Sequence, residues 1–256
     1  MGRGALRAFV STLLLTLIAV PTAASAPLGS SSLPEVTAYV DVGELGNANV
    51  TLVVSGRGSS SFWITLPKFQ PVSLCGLKGW YELVNSSSGA YFYYNTTVRV
   101  WSPGDGSYEL KLCFEFPYAV LMQDDKAWFM SPLLLAPPEL SIRVYVKLPL
   151  VRNIVRESPI SVGQRGGYRL YILSGSAQQE IQGRVIVEYR LERAVPSSSI
   201  SSEDGVVSVE FPRPYGRFAN ETLSIAVQAY RELSRLTGVE APRVVFRYYL
   251  PEQQLG

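Results

Sequence analysis

The side chains of this chain that could do chemistry are its carboxylates, two cysteines and a dense set of aromatics; histidine is absent throughout. Without imidazole, a Ser-His-Asp triad, a Cys-His dyad and an H-E-x-x-H zinc site cannot be assembled from this chain alone. No G-x-x-x-x-G-K-[ST] phosphate loop is present. Paired carboxylates remain, as in glycoside hydrolysis, where two acids flank the scissile bond. Asp124 and Asp125 adjoin in QDDKAWF, and Glu109 and Glu115 fall on one strand face; solvated turns and strands carry the same charges. Asp41, Glu44 and Asn47, or Asp105, have the residue types of a calcium site, which turns also favour. These residues designate no catalytic group, and no metal or cofactor is expected.

The aromatics are denser. Trp80, Tyr81, Tyr91, Tyr93, Tyr94 and Trp101 crowd LKGWYELVNSSSGAYFYYNTTVRVW. Exposed rows of this kind stack on sugar rings or anchor a protein partner; turned inward, they are what a sheet core needs. Four Asn-x-Ser/Thr sequons, at Asn49, Asn85, Asn95 and Asn220, are glycosylation candidates in an exported protein. Asn220 has a second reading as the N-cap of a helix.

Export is expected from the first 26 residues. Arg3 and Arg7 precede the apolar run Phe9–Val20, and small residues follow up to Ala26. That run is short of the roughly 20 residues of a bilayer span, so residues 1–26 read as a signal peptide, with an uncleaved N-terminal anchor as the alternative. Either way the rest works outside the cytoplasm, secreted or on the outer face of the membrane. The leader holds two arginines and no acid, so the chain's 23 basic and 21 acidic residues become 21 and 21 without it. A neutral protein has no field for polyanions, which excludes nucleic acid as the expected partner. In an oxidising compartment Cys75 and Cys113 are expected to pair. The bridge closes a loop of about 39 residues, worth roughly 4 kcal/mol on the chain-entropy treatment. In SYELKLCFEF, Tyr108, Leu110, Leu112, Phe114 and Phe116 share one face, so Cys113 points to the other, placing the bridge outside a sheet or at its edge.

The elements that position these groups are mostly strands. From Val36 onward short alternating runs are separated by Gly-, Ser-, Asn- and Pro-rich turns, the pattern of an antiparallel β-sandwich over residues 34–193. SPGDGS (Ser102–Ser107) reads as a hairpin connection, and Pro132, Pro137 and Pro138 exclude a central strand. The Ser-rich stretch 194–205 reads as a linker. Beyond it, residues 206–250 read as a strand, a helix and a strand, a βαβ unit with parallel strands. The helix is expected to start at Asn220, to bury Leu223, Ala226, Val227, Tyr230, Leu233 and Leu236, and to stop at Gly238.

The stretch AVQAYRELSRLTGVEAPRVVFRYYL resembles the entry to the catalytic domain of gluzincin-type, membrane alanyl aminopeptidase-like metallopeptidases. WFMSPLLLAPPELSIRVYVKLPL is similar to the end of that family's N-terminal β domain. Together the resemblance covers about Val36 to Leu250. It implies a chain related to the part of such a peptidase that precedes the zinc motif, hence a truncated, degenerate or split relative. No catalytic residue of the family has a counterpart here. The expected function is that of an exported, non-catalytic β-sandwich of the cell envelope, acting in interaction or structure. The alternatives are the N-terminal portion of a metallopeptidase-like protein without its zinc site, and a glycan-binding module. The partners expected are a protein or a cell-surface glycan.

Overall fold

The computed structural model describes residues 33–88, 92–102, 106–174 and 183–248. The leader, Tyr91 and Asp105 lie outside them. In chain order the strands are β1 (Glu35–Val42), β2 (Ala48–Arg57), β3 (Ser59–Pro67), β4 (Ser73–Lys78), β5 (Trp80–Ser88), β6 (Tyr93–Trp101), β7 (Ser107–Phe116) and β8 (Val120–Met130). They continue as β9 (Ser141–Lys147), β10 (Val151–Ser158), β11 (Gly163–Arg165), β12 (Tyr168–Ser174) and β13 (Ile186–Val195). The last three are β14 (Ser197–Ser201), β15 (Val207–Pro212) and β16 (Val244–Arg247), and helix α1 (Gly216–Thr237) joins β15 to β16.

The largest sheet has the order β11-β12-β9-β1-β2-β7-β4, and three smaller ones run β3-β6-β5, β10-β13-β8 and β14-β15-β16. Neighbours are antiparallel except β1 with β9 and β15 with β16. Alternation does what the sequence pattern implies: Val36, Ala38, Val40 and Val42 turn inward from β1, and Tyr108, Leu110, Leu112 and Phe114 from β7. They meet Phe62, Ile64 and Val98 of the second sheet and Met122, Phe129 and Tyr189 of the third in one continuous core. The protein is mainly β, a sandwich followed by a small βαβ unit. Among the described residues no helix is long and apolar enough to cross a membrane.

Two expectations about connections fail. SPGDGS is not a hairpin, because β6 pairs with β3 and β5 while β7 pairs with β2 and β4. The order β2-β7-β4 in one sheet repeats as β3-β6-β5 in the other, so three neighbouring strands bend together from sheet to sheet. Two of the bends fall at Gly58 and Gly79, and both glycines have positive φ, 73° and 96°. Side chains other than glycine seldom adopt that conformation. The stretch 194–205 is not a free linker either, since Ser197–Ser201 is strand β14, paired along its length with β15. Ile200 faces Val209 there and packs in the small core under α1.

Cys75 and Cys113 form the expected disulfide, with Cα atoms 5.8 Å apart. Cys75 sits at a register shift in β4, the edge strand, and its partner lies on the adjacent β7. Among the described residues edge strand β4 pairs with β7 only, and the bridge holds it there. Replacing both cysteines by serine is expected to cost about 2–4 kcal/mol, for a crosslink spanning 38 residues. Thermal unfolding of the wild type with and without reductant should reproduce the loss, and an unchanged midpoint would refute it.

At the opposite end a polar cluster ties β10 to β12. One oxygen of Glu157 accepts the Ser161 N–H and hydroxyl, each at 3.0 Å. The other accepts Arg169 at 2.8 Å and the buried Tyr171 hydroxyl at 3.0 Å. Burial alone would raise the Glu157 pKa; these donors outweigh it and hold the carboxyl below its ordinary value. Tyr171, desolvated in the core, is pushed up to about 12. A carboxylate whose pKa is depressed in the fold stabilises it above the unfolded value and loses that contribution as pH falls. Wild-type stability is therefore expected to decline below about pH 4.5, the unperturbed value. Glu157→Gln should cost about 2 kcal/mol at pH 7 and flatten that decline; urea titrations from pH 3 to 7 measure both.

Candidate functional site

The carboxylate candidates are scattered among separate partners. Asp125 pairs with Arg190 at 2.7 Å, Glu109 with Lys111 at 3.0 Å, and Glu115 accepts the Asn47 amide. The calcium candidates diverge as well. Asp41 accepts the Tyr168 hydroxyl at 2.7 Å, Glu44 pairs with Arg193, and the Asn47 carbonyl takes the Tyr118 N–H. Among the described residues no three such ligands stand close enough to hold a metal ion.

The aromatic set divides. Tyr93 is buried with its ring 5.3 Å from the Arg184 guanidinium, and Tyr81 and Tyr94 pack against the core. Trp80 and Trp101 are exposed, facing each other across β5 and β6. A second aromatic group, which the sequence reading missed, stands on the outer face of the large sheet. Tyr39 and Tyr145 stack at 5.1 Å, with Tyr168 edge-on at 6.0 and 6.4 Å. Their faces are spent on one another, and the Asp41 carboxylate, ahead of burial, pushes Tyr168 up to about 12. Of the sequons, Asn49 and Asn220 are exposed, while Asn95 is half-buried and accepts the Thr65 hydroxyl at 3.0 Å. The Asn85 side chain lies outside the described residues.

Asn220 is not the N-cap. Helix α1 begins at Gly216, directly after the short 3-10 turn Arg213–Tyr215, whose proline presets the chain for helix. The early start brings Tyr215 and Phe218 against the sandwich. The buried Tyr215 hydroxyl accepts the Met122 N–H at 2.6 Å and donates to the Val120 carbonyl at 3.3 Å. Burial raises its pKa. Tyr118, at a left-handed φ of 55°, packs its ring on Phe218 at 4.6 Å. Across the gap the Tyr248 hydroxyl bonds Thr222 at 2.6 Å. These residues, with Leu121, Gln123, Pro212 and Arg247, enclose an open cleft of about 490 Å³ at the carboxyl ends of β15 and β16. Parallel strands place such crevices there. Arg247 at its rim is bonded to Glu210 at 2.6 Å. The walls are mostly apolar, and the hydroxyls of Tyr215, Thr222 and Tyr248 already bond to protein partners, which suits binding better than group transfer.

Beside this cleft the last sheet ends, among the described residues, at β16. β16 is an edge strand, and Val244 and Tyr248 donate their N–H groups inward to β15, so the N–H and C=O of Val245 turn to the open side. Of the expected helix stripe only Ala226 is buried; Leu223, Val227 and Tyr230 are half-buried, and Leu233 and Leu236 are exposed. The reason is length. Twenty-two residues of helix run about 33 Å, whereas the four residues of β16 cover only about 13 Å. Thr222 turns one side of α1 toward β16, and the next residues on that side, Ile225 and Ala229, are exposed, Ile225 at 68%. Phe246 is 39% exposed on the sheet face below.

No protein-family model matches the chain, and no curated protein matches it. Solved structures do show a weak likeness. Yeast LTA4 hydrolase in complex with bestatin aligns at 11% identity and a TM-score of 0.33, over 80% of this chain and 35% of that one. Native leukotriene A4 hydrolase from Saccharomyces cerevisiae gives 10%, 0.33, 86% and 38%. The M1 zinc metallopeptidase from Deinococcus radiodurans gives 14%, 0.26, 88% and 57%. The chain thus spans between about a third and three fifths of these proteins.

The Tyr215 hydroxyl is the polar tie between the βαβ unit and the sandwich at this cleft. Tyr215→Phe leaves the buried Met122 N–H without its acceptor and is expected to cost about 2 kcal/mol. Urea unfolding gives the loss, and faster hydrogen exchange at Met122 locates it; an unchanged exchange rate would remove the assigned role.

Proposed function

We propose that this chain is an exported, non-catalytic β-sandwich protein of the cell envelope whose C-terminal sheet is completed by a further polypeptide. The observation that carries the reading is the edge of β16, unpaired among the described residues, beneath the exposed side of α1. An added strand would pair its backbone with Val245, the mode of β-strand addition. Every second residue of it would face Ile225 and lie beside Phe246, so the partner segment must be apolar on that side. An exposed, unprotected edge of this kind is a liability in a protein that works alone.

A second reading follows from the resemblance of residues 226–250 to the entry of gluzincin catalytic domains. In it the completing polypeptide carries the zinc-dependent peptidase chemistry, and this chain supplies the scaffold. An H-E-x-x-H motif in the captured polypeptide supports that reading, and its absence from every captured partner removes it.

Val245→Pro takes away the outward N–H while leaving the bonds to β15, and Ile225→Asp puts a charge where the partner must pack. Both sites are exposed, so both variants are expected to keep the wild-type unfolding midpoint. In complexes purified from the source organism, hydrogen exchange at Val245 should be slow in the wild type, and both variants should lose the partner. Fast exchange at Val245 in every complex would contradict the proposal.

A further inference from the structure

The outer face of the β3-β6-β5 sheet carries three of the chain's four tryptophans. The register sets them out in rows. Ser59, Trp101 and Trp80 stand side by side, then Ser61, Arg99 and Glu82, then Trp63, Thr97 and Val84. Residues between them, Phe62, Ile64, Val98 and Val100, point the other way into the core, so the assignment of faces is fixed by burial as well as by pairing. Trp80 is 61% exposed and Trp101 39%. Large rings left in water on a sheet face, clustered rather than scattered, mark a binding surface.

The polar groups among these rings indicate what binds. Arg99 and Glu82 pair at 3.2 Å in the middle row, both half-exposed, and Ser59, Ser61 and Thr97 add hydroxyls. The rows therefore carry one positive and one negative charge, already matched, which gives no attraction for nucleic acid or anionic lipid. A protein partner would bury its driest contacts at the centre, where this face instead holds an ion pair. A neutral saccharide fits both features. Its C–H faces stack on indole, while its hydroxyls accept hydrogen bonds from a guanidinium, donate to a carboxylate and exchange them with hydroxyls set between the rings. Trp63 and Trp101 are separated by four residues along the sheet, about 13 Å, which leaves room for a ligand of several sugar rings.

The backbone beneath is closely packed. Trp80 directly follows Gly79, where β4 passes into β5, and Trp101, the last residue of β6, pairs with it, so both rings stand at the end where the strands change sheets. A Cβ on Gly79 would come within 2.8 Å of the Trp101 carbonyl oxygen, so the two strands approach as closely here as a missing side chain permits. A site placed on strands in this way loses little freedom on binding.

We infer that this face, with Trp80 and Trp101 as stacking platforms and Arg99 and Glu82 as hydrogen-bonding centre, is a binding site for neutral oligosaccharides. It lies on a different sheet from β16 and does not depend on the polypeptide proposed there. The test is a glycan array of neutral oligosaccharides probed with the full chain, followed by titration of the best-bound oligosaccharide monitored by tryptophan fluorescence. The wild type is expected to bind at least one neutral glycan of three or more rings. Trp80→Ala and Trp101→Ala should each weaken it about tenfold or more, the scale of one lost aromatic contact. Arg99→Ala should weaken it too without lowering the unfolding midpoint, since an exposed ion pair adds little stability. Trp128→Phe, on another sheet, should bind as wild type. A flat response across the array overturns the inference, as does binding that survives the Trp80 and Trp101 variants. Loss of a protein partner, rather than a glycan, in those variants would equally overturn it.

Discussion

Three strands of this protein must turn from one sheet into the next side by side, and the sandwich depends on that shared bend. A strand that changes sheets has to break its pleat without losing its neighbours' hydrogen bonds. Here β2 continues as β3 through Gly58 and β4 as β5 through Gly79, both with positive φ, while the middle pair β7 and β6 is joined by residues 102–106. The two outer crossings use the residue that enters the left-handed region at least steric cost. The main chain closes the corner, with the Gly58 N–H donated to Gly106 and the Ser102 N–H to Gly58. Because the same three strands serve both sheets, the inward residues of β2, β7, β3 and β6 fill one core rather than two.

That corner also accounts for the placement of the surface features. The Cys75–Cys113 bridge fixes the outermost bent strand just before its turn, at a position where an edge strand has only one neighbour to hold it. The exposed tryptophans begin just past the turn. The opposite edge is held differently: the chain passes from β10 to β12 between sheets, and there the Glu157 carboxylate collects donors from Ser161, Arg169 and Tyr171. One end of the sandwich is tied by a covalent link and the other by a partly buried ion, whose strength falls with acidification.

Much of this was legible in the residues, and what was not has a common cause. Period-two alternation identified β1, β7 and β9 and the outward direction of Cys113, because a strand half-buried on one face must alternate whatever its partner. It does not say which partner. SPGDGS has the composition of a hairpin turn, yet the strands on either side of it lie in different sheets, and only the pairing of β6 with β3 shows this. Serine is a poor strand former in isolation, so 194–205 reads as linker; pairing with β15 and burial of Ile200 override that preference. Asn220 is a good cap residue that here lies inside a helix, because Pro212 and Pro214 start the turn earlier. The cleft left only the Pro117-Tyr118 and Pro214-Tyr215 dipeptides as a trace. Neither says that the two tyrosines would stand 6.5 Å apart across the chain.

The contrast between the two cores bears on what the C-terminal unit is for. The sandwich core draws on three sheets, whereas the core under α1 consists of Val209, Phe211 and Ala219 with Ile200, Leu223 and Tyr248 beside them. So little apolar burial cannot offset the entropy of ordering a helix and three short strands. The unit is held to the sandwich by Tyr215 on Met122 and by Tyr118 on Phe218, contacts concentrated at one end of α1. The far end, with Leu233 and Leu236, is left uncovered by the strands, and apolar helix surface beyond the reach of a sheet adds nothing to the stability of the chain on its own. A polypeptide that extended the sheet past β16 would bury that surface at low entropic cost, since the helix and strand flanking it are already ordered by the sandwich.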